Sequence, residues 1–590
     1  MERLLTPFGE KLNKDLPLND YPRPQLVRDN WQNLNGRWKY AIRKKEEVLG
    51  EYDGEIIVPF SPETILSGVE KQVTPSDALY YQRSFDCQRT NKRVLLHFGA
   101  VDYACVVFLN GKEVGYHKGG YTPFSFDVTD FLQDKKNVLE VVVTDPTDTG
   151  TQARGKQSSK RGGIWYTPQS GIWQTVWLEQ VSDNYVTSFT VTPDIDSECV
   201  DFAFQFSDKC EPVTVVIKAK GKKVAQKTCQ RGKMTVPVDD PILWSPEQPF
   251  LYDVEVTLAS GDTFTSYFGM RKFGIGKDSS GVSRLFLNNK PYFHNGLLDQ
   301  GYWSDGMYTA PSDEALIYDI KTMKDMGFNM LRKHIKIEPL RWYYHCDRLG
   351  MLVWQDMISG GGIYSPKVMA IYPAVNLVFC KKILNVSDGE KNYKLFARDD
   401  EAGREEYYRD SEEMVRLLYN VVSLSVWVPF NEGWGQFDAI KAAKFYRHLD
   451  PTRIIDHASG FHDQKGVDLN SFHIYFTPFR FPRAYAGDDR PIVLSEFGGF
   501  SLQKKGHMYN KEKFFGYRKY YDDEKYARAI EKLFEKKVVP SIKKQGLSAT
   551  VYTEVSDVED ECNGLLTYDR RVVKIPVERM KKINEGVKLS

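Results

Sequence analysis

Leu424-Ser425-Val426-Trp427-Val428-Pro429-Phe430-Asn431-Glu432-Gly433-Trp434-Gly435 runs from a β-branched, aromatic segment straight into an acidic turn flanked by glycine. Leu424–Phe430 reads as a buried strand, and the Asn-Glu pair ends it abruptly. A carboxylate at the mouth of a buried parallel strand has little structural reason to be there. It has a chemical one, because (β/α)8 barrels carry their chemistry at the carboxyl ends of strands. Pro491-Ile492-Val493-Leu494-Ser495-Glu496-Phe497-Gly498-Gly499 repeats the arrangement. Two strand-end glutamates, Glu432 and Glu496, suggest the carboxylate pair that cleaves a glycosidic bond.

The surroundings of both segments fit a barrel. From about residue 277, helical patterns at Asp313–Met326 and Asp522–Lys537 each open on an aspartate suited to an N-cap. They alternate with strands predicted at Phe328–Arg332, Leu352–Asp356, Leu424–Phe430, Ile454–His457, Ile492–Glu496 and Ala549–Thr553. Such alternation over residues 277–590 predicts a (β/α)8 barrel. Residues 360–410, opening on Gly360-Gly361-Gly362, read as a substrate-side insertion of loop and helix. Upstream the period changes to short alternating strands. Residues 1–182 hold runs such as Arg93–Phe98 and Ala104–Leu109, with Asn110-Gly111 as a type I′ hairpin signal. Residues 183–276 repeat the style at Val213–Lys218 and Tyr252–Leu258, in a size that suits an immunoglobulin-like sandwich. The cysteines stand in no register for an antibody-type disulfide.

Bulk composition excludes more than it selects. The 590 residues carry a net charge of +1, which gives no reason to expect nucleic acid or a membrane surface as partner. No run of about 20 apolar residues occurs, so no membrane span is expected. The eight cysteines are scattered with no C-x-x-C pair, so neither a zinc site nor a disulfide framework is expected. Reduced thiols and the lack of a signal-like start predict a cytoplasmic protein that needs no metal or cofactor. A homo-oligomer stays open. The raised aromatic content, 13%, suits platforms for sugar rings and large β-domains alike.

Taken in order, several segments resemble those of glycoside hydrolase family 2, over essentially the whole chain. They are Tyr80-Tyr81-Gln82-Arg83, Gly163-Ile164-Trp165, Ser170-Gly171-Ile172-Trp173, Leu287–Phe293, Gly327–Arg332, Asn431-Glu432-Gly433 and Ser495-Glu496-Phe497-Gly498. The resemblance implies a jelly-roll, sugar-binding-like sandwich, then an immunoglobulin-like one, then the catalytic barrel, with Leu287–Phe293 as its first strand. It implies Glu432 as general acid/base and Glu496 as nucleophile of a retaining enzyme. That chemistry needs two carboxyls about 5–5.5 Å apart, one protonated and one ionised. Burial and the like charge of Glu496 would keep the proton on Glu432. Asn431 would bond the sugar 2-hydroxyl, and Tyr475 would orient the nucleophile. Arg332 would orient it electrostatically or serve a structural ion pair. His473 reads equally as a site residue and as a bonded core histidine. Trp434 reads equally as a sugar platform and as loop packing.

The sugar is read from departures from the family's pattern. β-Glucuronidases of the family carry an Asn-x-Lys clamp after the nucleophile. This chain has Asn-x-Lys at 110–112, 288–290 and 392–394 only, the first two in apparent hairpin turns. After Arg332 it has Lys333-His334-Ile335-Lys336, two lysines near the sugar side of a strand-end loop. They could bind a carboxylate such as that of galacturonate, or pair with Asp356, Glu338 or Glu554. The expected activity is a retaining exo-β-glycosidase removing a terminal β-galactosyl-type residue, as the neutral galactoside or the β-galacturonide. The alternatives are a β-glucuronidase or other family 2 β-glycosidase, and a non-hydrolytic carbohydrate-binding protein.

Overall fold

A computed structural model describes residues 3–88, 90–379, 385–483 and 486–589. Eight parallel strands form the centre of the carboxyl-terminal part. They are β1 (His294–Asp299), β2 (Met330–Lys333), β3 (Leu352–Asp356), β4 (Leu424–Val428), β5 (Ile454–Ile455), β6 (Asn470–Ile474), β7 (Ile492–Gly498) and β8 (Leu547–Thr553). The sheet order is β5-β4-β3-β2-β1-β8-β7-β6, and every ladder is parallel. The two ends of that order, β5 and β6, are joined by side chains. Ser471 Oγ donates to Asp456 Oδ2 at 2.8 Å and lies 3.5 Å from Ser459 Oγ. Every strand residue is buried, as expected where helices cover a parallel sheet from outside and side chains fill it from inside.

Two expectations shift. The first barrel strand is β1, not Leu287–Phe293. Asn288 and Asn289 both have positive φ, 52° and 64°, and make the tight turn between strands Ser283–Leu287 and Lys290–Pro291. The helix predicted from Asp313 spans Asp313–Asp325 but is capped by Ser312, whose Oγ accepts from Ala315 N at 3.3 Å. Asp313 is drawn sideways into bonds with Arg341 and His345. The helix Asp523–Leu533 does have Asp522 as its cap, accepting from Lys525 N at 2.8 Å. Between residues 360 and 410 lie helical segments Lys367–Ile371, Tyr372–Phe379 and the start of Glu401–Leu418. Cys380 and the rest of 380–384 lie outside the described residues.

Two antiparallel sandwiches precede the barrel. Strands between Trp31 and Val181 form sheets of four and six, closing on Trp38, Tyr81, Phe98 and Val141. Tyr81 sits inside this core, and its hydroxyl accepts from Ile172 N at 3.2 Å. Asn110 and Gly111, with φ of 54° and 76°, form the predicted hairpin turn. Strands between Val186 and Phe268 form sheets of three and four around Val200, Phe202, Val215 and Val254. Cys105, Cys199, Cys210, Cys229, Cys346 and Cys562 are free thiols. Among the described residues, no helix is long and apolar enough to cross a membrane.

A loop of the first sandwich reaches across to the barrel mouth. Arg154 donates to Gly362 O at 3.1 Å, Thr167 N donates to Glu559 Oε1 at 2.9 Å, and the Tyr166 hydroxyl donates to Glu561. These bonds seat Lys156, Trp165 and Tyr166 beside the strand ends.

Candidate active site

Beyond the end of β4, Glu432 N donates to Ser459 O at 2.9 Å, and the chain turns with Glu432 and Gly433 at φ of 50° and 78°. A glutamate in the left-handed region costs of order 1–3 kcal/mol and persists only where its surroundings impose it. That turn throws its carboxyl into the barrel mouth. At Gly435 a Cβ would lie 2.3 Å from Gly360 O, so this loop closes on the 360–362 glycines only because a glycine stands there.

Glu496 arrives differently. The β6 and β8 ladders both slip register beside it, between Phe472 and His473 on one side and between Leu494 and Phe497 on the other. Such a bulge re-aims a side chain out of the regular alternation. The two glutamates and His473 offer ligand-type atoms all within 4.8 Å of one another. His473 joins them, with Nδ1 at 2.7 Å from Glu432 and 3.5 Å from Glu496. Its Nε2 faces the Ser459 hydroxyl at 3.2 Å and Arg332 Nη1 at 3.5 Å. With donors around Nε2, that nitrogen accepts and Nδ1 carries the proton. Burial holds the imidazole pKa down to about 4, so the ring is neutral.

The two carboxyls have unlike environments. Glu496 accepts from the Tyr475 hydroxyl at 2.6 Å and from Arg332 Nη1 at 3.2 Å. Arg332 is fully buried and also donates twice to Asp356 (2.9 and 3.0 Å) and to Asn431 Oδ1 at 2.9 Å. Burial raises the Glu496 pKa, while His473, Arg332 and the Tyr475 bond hold it back. Among the described residues, Glu432 makes no ion pair with a lysine or arginine. Burial pushes its pKa up to about 7, against the pull of Lys156 and Arg332. Glu496 thus has partners that favour its charged form, and Glu432 is poised to hold a proton. The spacing of Glu432, His473 and Glu496 could also hold a divalent cation. The shared histidine proton accounts for that spacing without one.

Of the residues singled out in the sequence, Asn431, Glu432, His473, Tyr475, Glu496 and Arg332 converge. Lys333 and Lys336 do not face this centre. Lys333 Nζ lies 2.8 Å from Asp299 and 2.9 Å from Glu338. Lys336 Nζ donates to Glu338 at 2.8 Å and to the Gly301 and Tyr308 carbonyls at 2.6 and 2.8 Å. Both are buried behind the strand ends, with their donors directed into the protein. Of the three carboxylates weighed as their partners, Glu338 is the one they take. Asp356 instead binds Arg332 and, at 2.7 Å, His334 Nδ1. Trp434 packs its loop, with its ring stacked on Trp165 at 5.2 Å and on Tyr364 at 6.1 Å.

Sequence reading missed Lys156, Trp165, Gln300, Glu561 and Tyr517, which stacks 3.6 Å from Tyr475. It weighed Glu554 only as a lysine partner. Gly163-Ile164-Trp165 was a visible marker, but nothing local signals that Lys156 crosses to another domain.

Comparison with known proteins decides the family. The model for the family 2 TIM-barrel domain matches residues 281–588, more than half of the chain. The chain belongs to glycoside hydrolase family 2. The family's galactose-binding domain-like model matches residues 62–171, and a further family 2 model matches 184–271. Among its relatives, a β-galactosidase of Lactococcus lactis is 25% identical over 363 residues, which is 59% of this chain and 35% of that protein. A mannosylglycoprotein endo-β-mannosidase of Lilium longiflorum is 26% identical, over 63% of this chain and 42% of that one. The chain thus spans roughly a third to a half of the length of these relatives. The fold matches a β-D-glucuronidase structure of Dictyoglomus thermophilum with a TM-score of 0.74 at 17% identity, covering 96% of this chain and 98% of that one. It also matches a family 2 β-galacturonidase of Eisenbergiella tayi bound to galacturonate, at 0.69 and 17%, over 96% and 99%.

Proposed function

We propose that this family 2 chain is a retaining exo-β-glycosidase that removes a terminal β-galactosyl residue, in its neutral form. The observation that carries the reading is the unlike pair of carboxyls, within 4.8 Å and joined by one histidine. Inverting enzymes need about 6.5–9.5 Å, to admit a water between the carboxyls. Glu496, ionised beside Arg332 and Tyr475, attacks the anomeric carbon. Glu432, with its pKa near 7, gives its proton to the departing oxygen. After the aglycone leaves, Glu432 takes a proton from water, which attacks from the same face and frees Glu496. Arg332 already occupies Asn431 Oδ1, which leaves the Asn431 amide free to donate to the sugar 2-hydroxyl.

Support for a galactosyl residue comes from relatives named as β-galactosidases. Support for the neutral sugar over its uronate comes from Lys333 and Lys336, whose charges are taken up by Asp299 and Glu338. The free thiols suit a reducing compartment, and we place the enzyme in the cytoplasm. The test is hydrolysis of p-nitrophenyl β-galactoside, β-galacturonide, β-glucuronide and β-mannoside, with the first-formed product anomer followed by proton NMR. The β-galactoside should be the best substrate and should release β-galactose first. Preference for another glycone would overturn the sugar assignment, and α-galactose released first would overturn the retaining mechanism.

A further inference from the structure

The catalytic centre does not use two buried polar side chains that flank it, Lys156 from the first sandwich and Glu554 beyond β8. Lys156 is only 5% exposed. Among the described residues it makes no side-chain hydrogen bond and no ion pair within 4.0 Å. Its Nζ stands 6.0 Å over the Trp434 ring and 5.5 Å from that of Tyr166. Its charge acts on Glu432, His334 and Glu554, which lie beyond the ends of β4, β2 and β8. Glu554 is fully buried, and both its carboxyl oxygens lack a hydrogen-bond partner. Gln300 Nε2, just past β1, is likewise buried and unpartnered, and it faces Glu554. Burial first, and then Glu561, hold the Glu554 pKa well above the carboxylate range, so it carries a proton.

We propose that Lys156 and Glu554 together read hydroxyl groups of the neutral glycone. This rests on the glycosidase reading above. Buried polar atoms need partners, and here only Gln300 stands close to Glu554, without a well-formed bond to it. A sugar hydroxyl both donates and accepts, so it can bridge an ammonium on one side and a carboxyl on the other. A uronate suits the site poorly. Its carboxylate would enter beside the charge of Glu496, with Lys156 alone to offset both, since Arg332 is already paired with Asp356 and Glu496.

The test uses the full chain with Lys156→Met, Lys156→Arg and Glu554→Ala. It reads kcat/KM on p-nitrophenyl β-galactoside, and inhibition by galactose and by galacturonate. Lys156→Met and Glu554→Ala should each lower kcat/KM about 100-fold and weaken galactose inhibition by a similar factor, the cost of leaving site polar groups unpaired. Lys156→Arg should recover part of both. Should Lys156→Met fail to fold, Glu554→Ala and Lys156→Arg give the same readings. Kinetics and galactose inhibition within about threefold of wild type would overturn the proposal. So would a wild type that binds galacturonate more tightly than galactose and loses that preference in Lys156→Met. A wild type that cleaves no β-galactoside at all refutes the functional reading itself, a result distinct from both.

Discussion

Tyr475→Phe isolates one bond in the catalytic centre. The Tyr475 hydroxyl donates to Glu496 Oε2 at 2.6 Å and lies 3.1 Å from Thr553 Oγ1, while its ring stacks 3.6 Å from Tyr517. Phenylalanine keeps the stacking and deletes the donor. A hydrogen bond to a charged acceptor contributes about 1.5–3 kcal/mol, which corresponds to a rate factor of about 10–150. In the covalent intermediate the Glu496 charge is quenched, so the bond helps most when that carboxylate is expelled. Glycosyl-enzyme breakdown should therefore slow more than its formation, lowering kcat and KM together on an activated aryl glycoside. The bond also favours the ionised form of Glu496, so its loss raises the nucleophile's pKa. The acid limb of kcat/KM should move to higher pH. Steady-state kinetics against pH, with circular dichroism to confirm the fold, would measure both effects. A kcat within about threefold of wild type and an unmoved acid limb would refute the role given to Tyr475.

Two further perturbations separate chemistry from support. Glu432 must keep its proton to act as acid, so kcat/KM should hold below its pKa and fall as pH rises through about 7. Glu432→Gln should abolish that limb and cost about 10²–10⁴-fold on poor leaving groups, with much less loss on a dinitrophenyl glycoside. Lys333→Met should behave oppositely. It strands Asp299 in the interior, leaves Glu338 to Lys336 alone, and should cost about 3–5 kcal/mol of stability, read as a lower urea midpoint, with KM for the galactoside nearly unchanged. A raised KM at unchanged stability would return Lys333 to the sugar.

The parts of the fold written in local pattern were legible in the sequence. Parallel strands buried on both faces produce continuous apolar runs, and the glutamates that interrupt them announce the site. The first barrel strand was misplaced because Asn288-Asn289 makes a turn that a motif match passes over. The lysines after Arg332 stayed open between sugar and ion pair because sequence position shows closeness to a strand end but not the direction of the side chain. Asp299 and Glu338, which fix that direction, lie on either side of the motif. Lys156 was illegible for a different reason. Its environment is made by Trp434, Glu432 and Glu554, hundreds of residues away, and by the bonds of Arg154 and Tyr166 that dock its loop. Recognition groups carried between domains leave no periodicity to read.

The central claim is that Glu496 bonds covalently to the sugar while Glu432 manages the proton. Incubating the enzyme with 2-deoxy-2-fluoro-β-galactosyl fluoride and mapping the peptides by mass spectrometry tests it most directly. The account predicts one fluorogalactosyl group per chain, on Glu496, with activity lost in step with labelling. Rapid turnover of β-galactosides without any adduct, or an adduct on Glu432, would contradict it.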